Sequence, residues 1–173
     1  MDDNFLVYIQ HLELIAFFSG YPLIYAVVFF FARNNRLKNS FKQRVASLLP
    51  FSYALIGTLY IGLQLKKIYP DYFFENMQLS VQQLYLVIWG LVSILFWIPS
   101  LAKKKVLSLI HSLVFFFFLA KDLFLQSFAS NFDDNIVNND MKIYTLSLLL
   151  NLTSLSLMVL LSFLLPITKR LIS

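Results

Sequence analysis

Residues 103–128 read KKKVLSLIHSLVFFFFLAKDLFLQSF. Three consecutive lysines give way at Val106 to an apolar run in which His111 is the one ionisable residue before Lys121 and Asp122. A helix rises about 1.5 Å per residue, so a hydrocarbon core about 30 Å thick demands roughly 20 mainly apolar residues, and 106–128 supplies them. Each charge placed inside lipid costs a few kcal/mol or more, which explains a stretch this long with so few. The run reads as a transmembrane helix with a basic leader on one side.

Four further windows pass the same test. The first covers about 12–32, interrupted only by Gly20, Tyr21 and Pro22, and ends at Arg33. The second covers 45–65, with Pro50 placed in its first turns, where a missing backbone donor is least costly. The third covers about 79–98 and stops at Pro99, and the last covers 144–165 and is closed by Pro166. With 106–128 as the fourth, the expected fold is an all-α polytopic bundle: a single transmembrane domain over residues 1–173 with five spans. The connections are short, the longest being about 129–143, and leave no separate soluble domain. The opening Met1-Asp2-Asp3-Asn4 is acidic where a secretory signal needs basic residues, so the first span is read as retained.

Composition agrees. Apolar residues make up 59% of the 173 and charged residues only 13%, beyond what a soluble core of this size needs. The bilayer is therefore the expected partner of most of the surface, and the nineteen phenylalanines are read as residues that lipid favours. The net charge of +5 is positional rather than a nucleic-acid signature, since no Arg-rich, aromatic-interleaved patch occurs.

Ten of the fourteen basic residues fall on one side: Arg33, Arg36, Lys38, Lys42 and Arg44 between the first two spans, Lys103 to Lys105 between the third and fourth, and Lys169 and Arg170 at the end. The other side holds or borders all nine acids, including Asp2, Asp3, Glu13, Asp71, Glu75 and Asp122. The positive-inside rule then sets the N-terminus outside and the C-terminus in the cytoplasm. A plasma or bacterial inner membrane is the expected location.

Several chemistries are excluded by what the chain lacks. Without cysteine it has no disulfide, thiolate metal site or thiol nucleophile. It carries no HExxH, GxSxG or glycine-rich phosphate loop, so no metal and no cofactor is expected. The run of Asp and Asn from Asp133 to Asp140 lacks the glycine turn and closing Glu of an EF-hand and is read as a solvated outer loop. Asn151-Leu152-Thr153 matches a glycosylation acceptor but lies inside the fifth span.

Intramembrane ionisable groups are the most informative residues, because lipid makes them expensive. His111 and Asp122 share a face of the fourth helix about 16 Å apart, too far for a hydrogen bond between them. Lys121 and Asp122 lie near its outer end, level with His11 and Glu13 on the first span. Tyr53, Gly57, Tyr60 and Gln64 form one stripe of the second span at i, i+4, i+7 and i+11. Gln82, Gln83, Gly90 and Ser93 on the third span and Ser147, Asn151 and Ser154 on the fifth supply further polar or small positions. The candidate site is a polar cluster in the outer half of the bundle, drawn from Glu13, His111, Lys121, Asp122, Tyr60, Gln64 and Asn151. The competing reading is that such residues only pack helices and bond across them.

Two functional classes follow. A chain that is nearly all membrane helix suits a non-enzymatic accessory or structural subunit of a larger membrane complex, in contact with other membrane proteins. The alternative is a small membrane sensor, carrier or intramembrane enzyme that uses the polar cluster.

Overall fold

The computed structural model describes residues 3–33, 40–68, 81–128 and 134–164. All are helical or helix-linking: α1 (Asp3–Phe18), α2 (Tyr21–Arg33), α3 (Ser40–Ile68), α4 (Val81–Val92), a 3-10 segment (Ser93–Trp97), α5 (Pro99–Ala102), α6 (Lys105–Phe128) and α7 (Asp134–Leu164). Arg36, Lys38, Asp71, Glu75, Asp133, Lys169 and Arg170, which entered the charge argument, lie outside the described residues, as do Asp2 and Pro166.

Among the described residues, four helical stretches are long and apolar enough to cross a membrane: His11–Phe31, Phe41–Lys66, Lys105–Leu125 and Asn139–Leu164. A fifth apolar stretch, Tyr85–Trp97, is shorter. The chain is thus an all-α bundle with the composition of a multi-pass membrane protein.

Contacts fix the directions of the helices. Along α1 and α2, His11, Phe18 and Tyr21 meet Asp122, Phe115 and Ser108, so this stretch runs antiparallel to α6. Phe17 meets Tyr60 and Tyr21 meets Tyr53, which sets it antiparallel to α3. On the next pair, Phe51 and Tyr53 meet Trp97 and Phe96 while Tyr60 lies against Gly90. Phe41 and Ser52 of α3 meet Phe163 and Ser154 of α7, again antiparallel. One end of the bundle therefore gathers His11, Gln64 and Asp122, and the other gathers Arg44, Lys105 and Ser162.

The first apolar stretch, a single candidate span by length and composition, is built of two helices, α1 and α2. Pro22 has no N–H to offer the carbonyl one turn earlier, and a helix cannot run through it undisturbed. The chain breaks at Ser19–Gly20, where the Gly20 N–H is bonded to Ser147 Oγ at 2.8 Å. A Cβ on Gly20 would sit 2.7 Å from the backbone of Ser147 and Leu148, so α7 crosses the break at a distance only glycine permits.

The third stretch also departs from a plain helix. It tightens to 3-10 at Ser93, whose hydroxyl bonds back to the Gly90 carbonyl at 2.6 Å. Ile98 is extended (φ −74°, ψ 120°), as the residue before a proline prefers, and Pro99 opens α5. Residues 99–102, expected as loop, are helical for this reason.

Two boundaries move as well. α3 starts at Ser40, so Pro50 is interior rather than in the first turns; such prolines are tolerated in membrane helices, where neighbours re-satisfy the freed backbone. The N-terminal extension is held because Arg44 donates to the Ser162 carbonyl and its guanidinium lies 4.7 Å from the Phe163 ring centroid. α7 starts at Asp134, so most of the expected outer loop is helix. Acidic residues favour the first turn of a helix through its dipole, an effect the loop reading left out.

The core lies where α1, α2 and α3 cross. Phe18, Tyr21, Tyr53, Tyr60 and Phe115 are essentially fully buried there. α6 and α7 turn Ile110, Phe117, Leu149 and Leu160 outward, as lipid-facing surfaces must.

Candidate functional site

The polar groups within the bundle separate into two sets, one with its hydrogen bonds closed and one with open valences. His111 belongs to the first. Its Nε2 lies 2.8 Å from the Trp89 carbonyl and its Nδ1 lies 2.7 Å from the Tyr53 hydroxyl. A carbonyl only accepts, so Nε2 carries a proton; in the neutral ring Nδ1 then accepts from the Tyr53 O–H. The Trp89 carbonyl is available because it belongs to the last four residues of α4, where acceptors outnumber intrahelical donors. Trp89 stacks on the imidazole at 4.9 Å with planes 11° apart, and Phe96 and Phe115 close two further sides. Both nitrogens are used, and the ring ties α3, α4 and α6 together.

A second closed pair lies toward the Arg44 end, where the Tyr21 and Ser108 hydroxyls are 2.9 Å apart and Ser108 donates to the Lys105 carbonyl. Asn151 is closed too. Its amide nitrogen donates to the carbonyls of Phe17 at 2.9 Å and Ser147 at 2.8 Å, which places it on the α1 break rather than in an open cluster. Ser154 likewise donates to the Ser52 carbonyl at 2.8 Å.

The open set lies toward the His11 end. All four residues of the α3 stripe are buried, Tyr53, Gly57, Tyr60 and Gln64, so the helical spacing does select one inward face. Tyr60 is 0% exposed, and its hydroxyl has no hydrogen-bond partner among the described residues. Its ring is edged by Phe17 and Phe18, with centroids 5.4 and 5.5 Å away, and packs over Gly90. Gln64 lies one turn further toward the same end and is buried. Glu13 on α1 is half-buried and does not belong to the open set, since it has a partner of its own. The indole N–H of Trp89 is the other buried side-chain polar atom without a partner among the described residues.

Asp122 is bonded to His11 Nε2 at 2.9 Å, joining the middle of α1 to the C-terminal half of α6. Both side chains are partly exposed, at 25% for His11 and 33% for Asp122. Lys121, adjacent in sequence, is exposed. The structure thus sets Tyr60 and Gln64 on one buried face of α3 toward the His11 end, where the His11–Asp122 pair also lies. It sets His111 and Asn151 apart as closed interhelical bonds.

Sequence reasoning missed Trp89, whose carbonyl, ring and indole N–H all matter here. A backbone acceptor leaves no trace in residue type, so no signal in the sequence could have found it. The described side chains contain no group of three His, Asp or Glu able to hold a metal ion.

No protein-family model, curated protein or solved structure matches this chain. The residues and their geometry are therefore the grounds for a functional reading.

Proposed function

We propose that this chain is a five-span integral membrane protein, N-terminus outside and C-terminus cytoplasmic, that admits a small polar molecule from the outer side to the buried face of α3 carrying Tyr60 and Gln64. It acts as a sensor or carrier and not as an enzyme. The observation that carries the reading is the Tyr60 hydroxyl, fully buried and without a hydrogen-bond partner among the described residues, one turn from the buried Gln64. A buried unsatisfied hydroxyl costs about 1–3 kcal/mol, and such groups persist where binding uses them.

Two features support five spans. Twelve residues of α4 at about 1.5 Å and five 3-10 residues at about 2 Å extend roughly 28 Å, close to a hydrocarbon core's thickness. Consecutive stretches also alternate in direction, as the contacts above record. The orientation is supported by Lys42, Arg44 and Lys103 to Lys105, which fall at the end away from His11. The exposed apolar faces of α6 and α7 are what lipid alone requires, so nothing favours the accessory-subunit reading over this one.

The absence of native cysteine makes single-cysteine labelling in intact cells a direct test. Lys142→Cys should react with an impermeant maleimide added outside and Lys103→Cys should not; the reverse pattern overturns the orientation. Gln64→Cys should react with a small thiol reagent added outside. An inert thiol there, in cells where Lys142→Cys reacts, sinks the proposed access to Tyr60.

A further inference from the structure

We infer that the turn joining α5 to α6 holds an anionic phospholipid, with Lys103 and Lys104 on its headgroup phosphate and an acyl chain along the outward face of α6. This lipid site uses different residues from the Tyr60 reading, so either can fail alone.

Lys103, Lys104 and Lys105 are consecutive, the first two exposed and the third half-buried. None of them makes an ion pair with a described residue. The acids on the described helices belong to the opposite end of the bundle: Asp3 and Glu13 on α1, Asp122 in the second half of α6, and Asp134 and Asp140 in the opening turns of α7. α6 begins at Lys105, so the three cations also crowd the positive end of its dipole, where negative charge is the favourable one. An anion brought from outside relieves both costs. The positive-inside rule asks only that basic residues lie somewhere in this connection. The turn has a fixed geometry besides: the N–H groups of Lys103 and Lys104 donate to the carbonyls of Pro99 and Leu101, each at 3.0 Å, and the Lys104 carbonyl accepts from Leu107 at 2.8 Å. Ala102 is buried against the bundle, and the two lysines after it are exposed.

The surface that rises from the lysines identifies the anion as a lipid. Val106, Ile110, Leu113 and Phe117 recur at i, i+4, i+7 and i+11, which is one face of α6, and all four are exposed. At about 1.5 Å per residue the stripe is roughly 16 Å long, close to half of a hydrocarbon core about 30 Å thick and so to the depth of one leaflet. A basic turn at the foot of such a stripe matches both parts of a phospholipid, phosphate at the interface and chain along the helix. A free phosphate would use the lysines and leave the stripe without a role. A zwitterionic lipid would use the stripe but bring a second cation to the lysines. Each lysine held near anionic headgroups is worth about a fivefold preference for them.

The test offers the full chain, in mild detergent, equal amounts of phosphatidylglycerol and phosphatidylcholine with the same acyl chains, and native mass spectrometry counts what stays bound. Phosphatidylglycerol should be retained at least about fivefold over phosphatidylcholine, the worth of one lysine. Lys103→Gln combined with Lys104→Gln should abolish that preference. The charge-matched pair Lys121→Gln with Lys142→Gln, at the other end, should keep it. Equal retention of the two lipids by the unmodified chain overturns the site, as does a preference that survives the first pair. Equal loss in both pairs overturns it too, since net charge alone would then attract the lipid. Inorganic phosphate separates a headgroup from a free anion: phosphatidylglycerol should raise the melting temperature of the unmodified chain saturably, where phosphate at equal ionic strength does not. The same rise with phosphate overturns the lipid. If the first pair does not fold, this comparison on the unmodified chain decides, and no rise, or an equal rise with phosphatidylcholine, overturns the site.

Discussion

Tyr53 and His111, 58 residues apart, share a 2.7 Å hydrogen bond in the most enclosed part of the bundle, and the imidazole's other nitrogen is bound to the Trp89 carbonyl. An intramembrane histidine invites a proton-relay reading. Here both nitrogens are spent on holding three helices, and an aromatic shell surrounds the ring. Chemistry would need a free valence, which lies a few turns away at Tyr60.

Breaking this bond from one side should therefore destabilise more than removing it from both. Tyr53→Phe leaves His111 Nδ1 buried without a donor, at about 1–3 kcal/mol. His111→Leu removes that acceptor but leaves the Tyr53 hydroxyl and the Trp89 carbonyl short of a partner. The double variant should be less destabilised than the sum of the single ones, as contacting residues couple by roughly 0.5–3 kcal/mol. Equilibrium unfolding in mixed micelles measures all three, and strict additivity would mean that the bond is not formed.

Glycines 20 and 62 should respond oppositely to alanine. A methyl group at Gly20 would press on the backbone of Ser147 and Leu148, which cannot move aside as a side-chain end can. Gly20→Ala should cost several kcal/mol and sharply lower the yield of monodisperse protein, as severe overpacking does. Gly62 is exposed in mid-helix with nothing within 4 Å of the added carbon, and Gly62→Ala should gain about 0.5–1 kcal/mol. Size-exclusion profiles and melting temperatures of the two variants decide the matter.

The fold is legible in the sequence wherever one helix suffices to explain the pattern. The apolar run after Lys105 and the buried stripe Tyr53, Gly57, Tyr60 and Gln64 each follow from spacing along a single helix. What escapes is the choice between two local structures of similar cost. Asp134 to Asp140 suits a polar loop and a helix start equally, and Ser93 to Trp97 has the composition of an ordinary α-helix. The site divides in the same way: Glu13 and Asp122 stand out by their charge in lipid, but the partners of His111 and Asn151 are largely backbone carbonyls on other helices. Only the packing reveals that those two residues are closed and Tyr60 is open.

The His11–Asp122 pair should prove a weak fastener. Both groups are partly exposed, and pairs of that kind typically contribute between nothing and about 1 kcal/mol. Asp122→Asn and His11→Gln, singly and together, should leave membrane abundance unchanged and give a coupling below about 1 kcal/mol in a double-mutant cycle. A larger coupling would show the pair to be effectively desolvated.

Tyr60→Phe separates a binding group from a structural one. Deleting the oxygen removes an unsatisfied buried hydroxyl and keeps the ring that packs on Phe17, Phe18 and Gly90, so the folded state should gain up to about 1–3 kcal/mol. A hydroxyl that bonded a neighbour would give the opposite sign, because the neighbour would be left bare. Gain in stability is the signature of a group retained at the fold's expense. A stability loss on Tyr60→Phe, read from the melting temperature, would assign the hydroxyl to the scaffold.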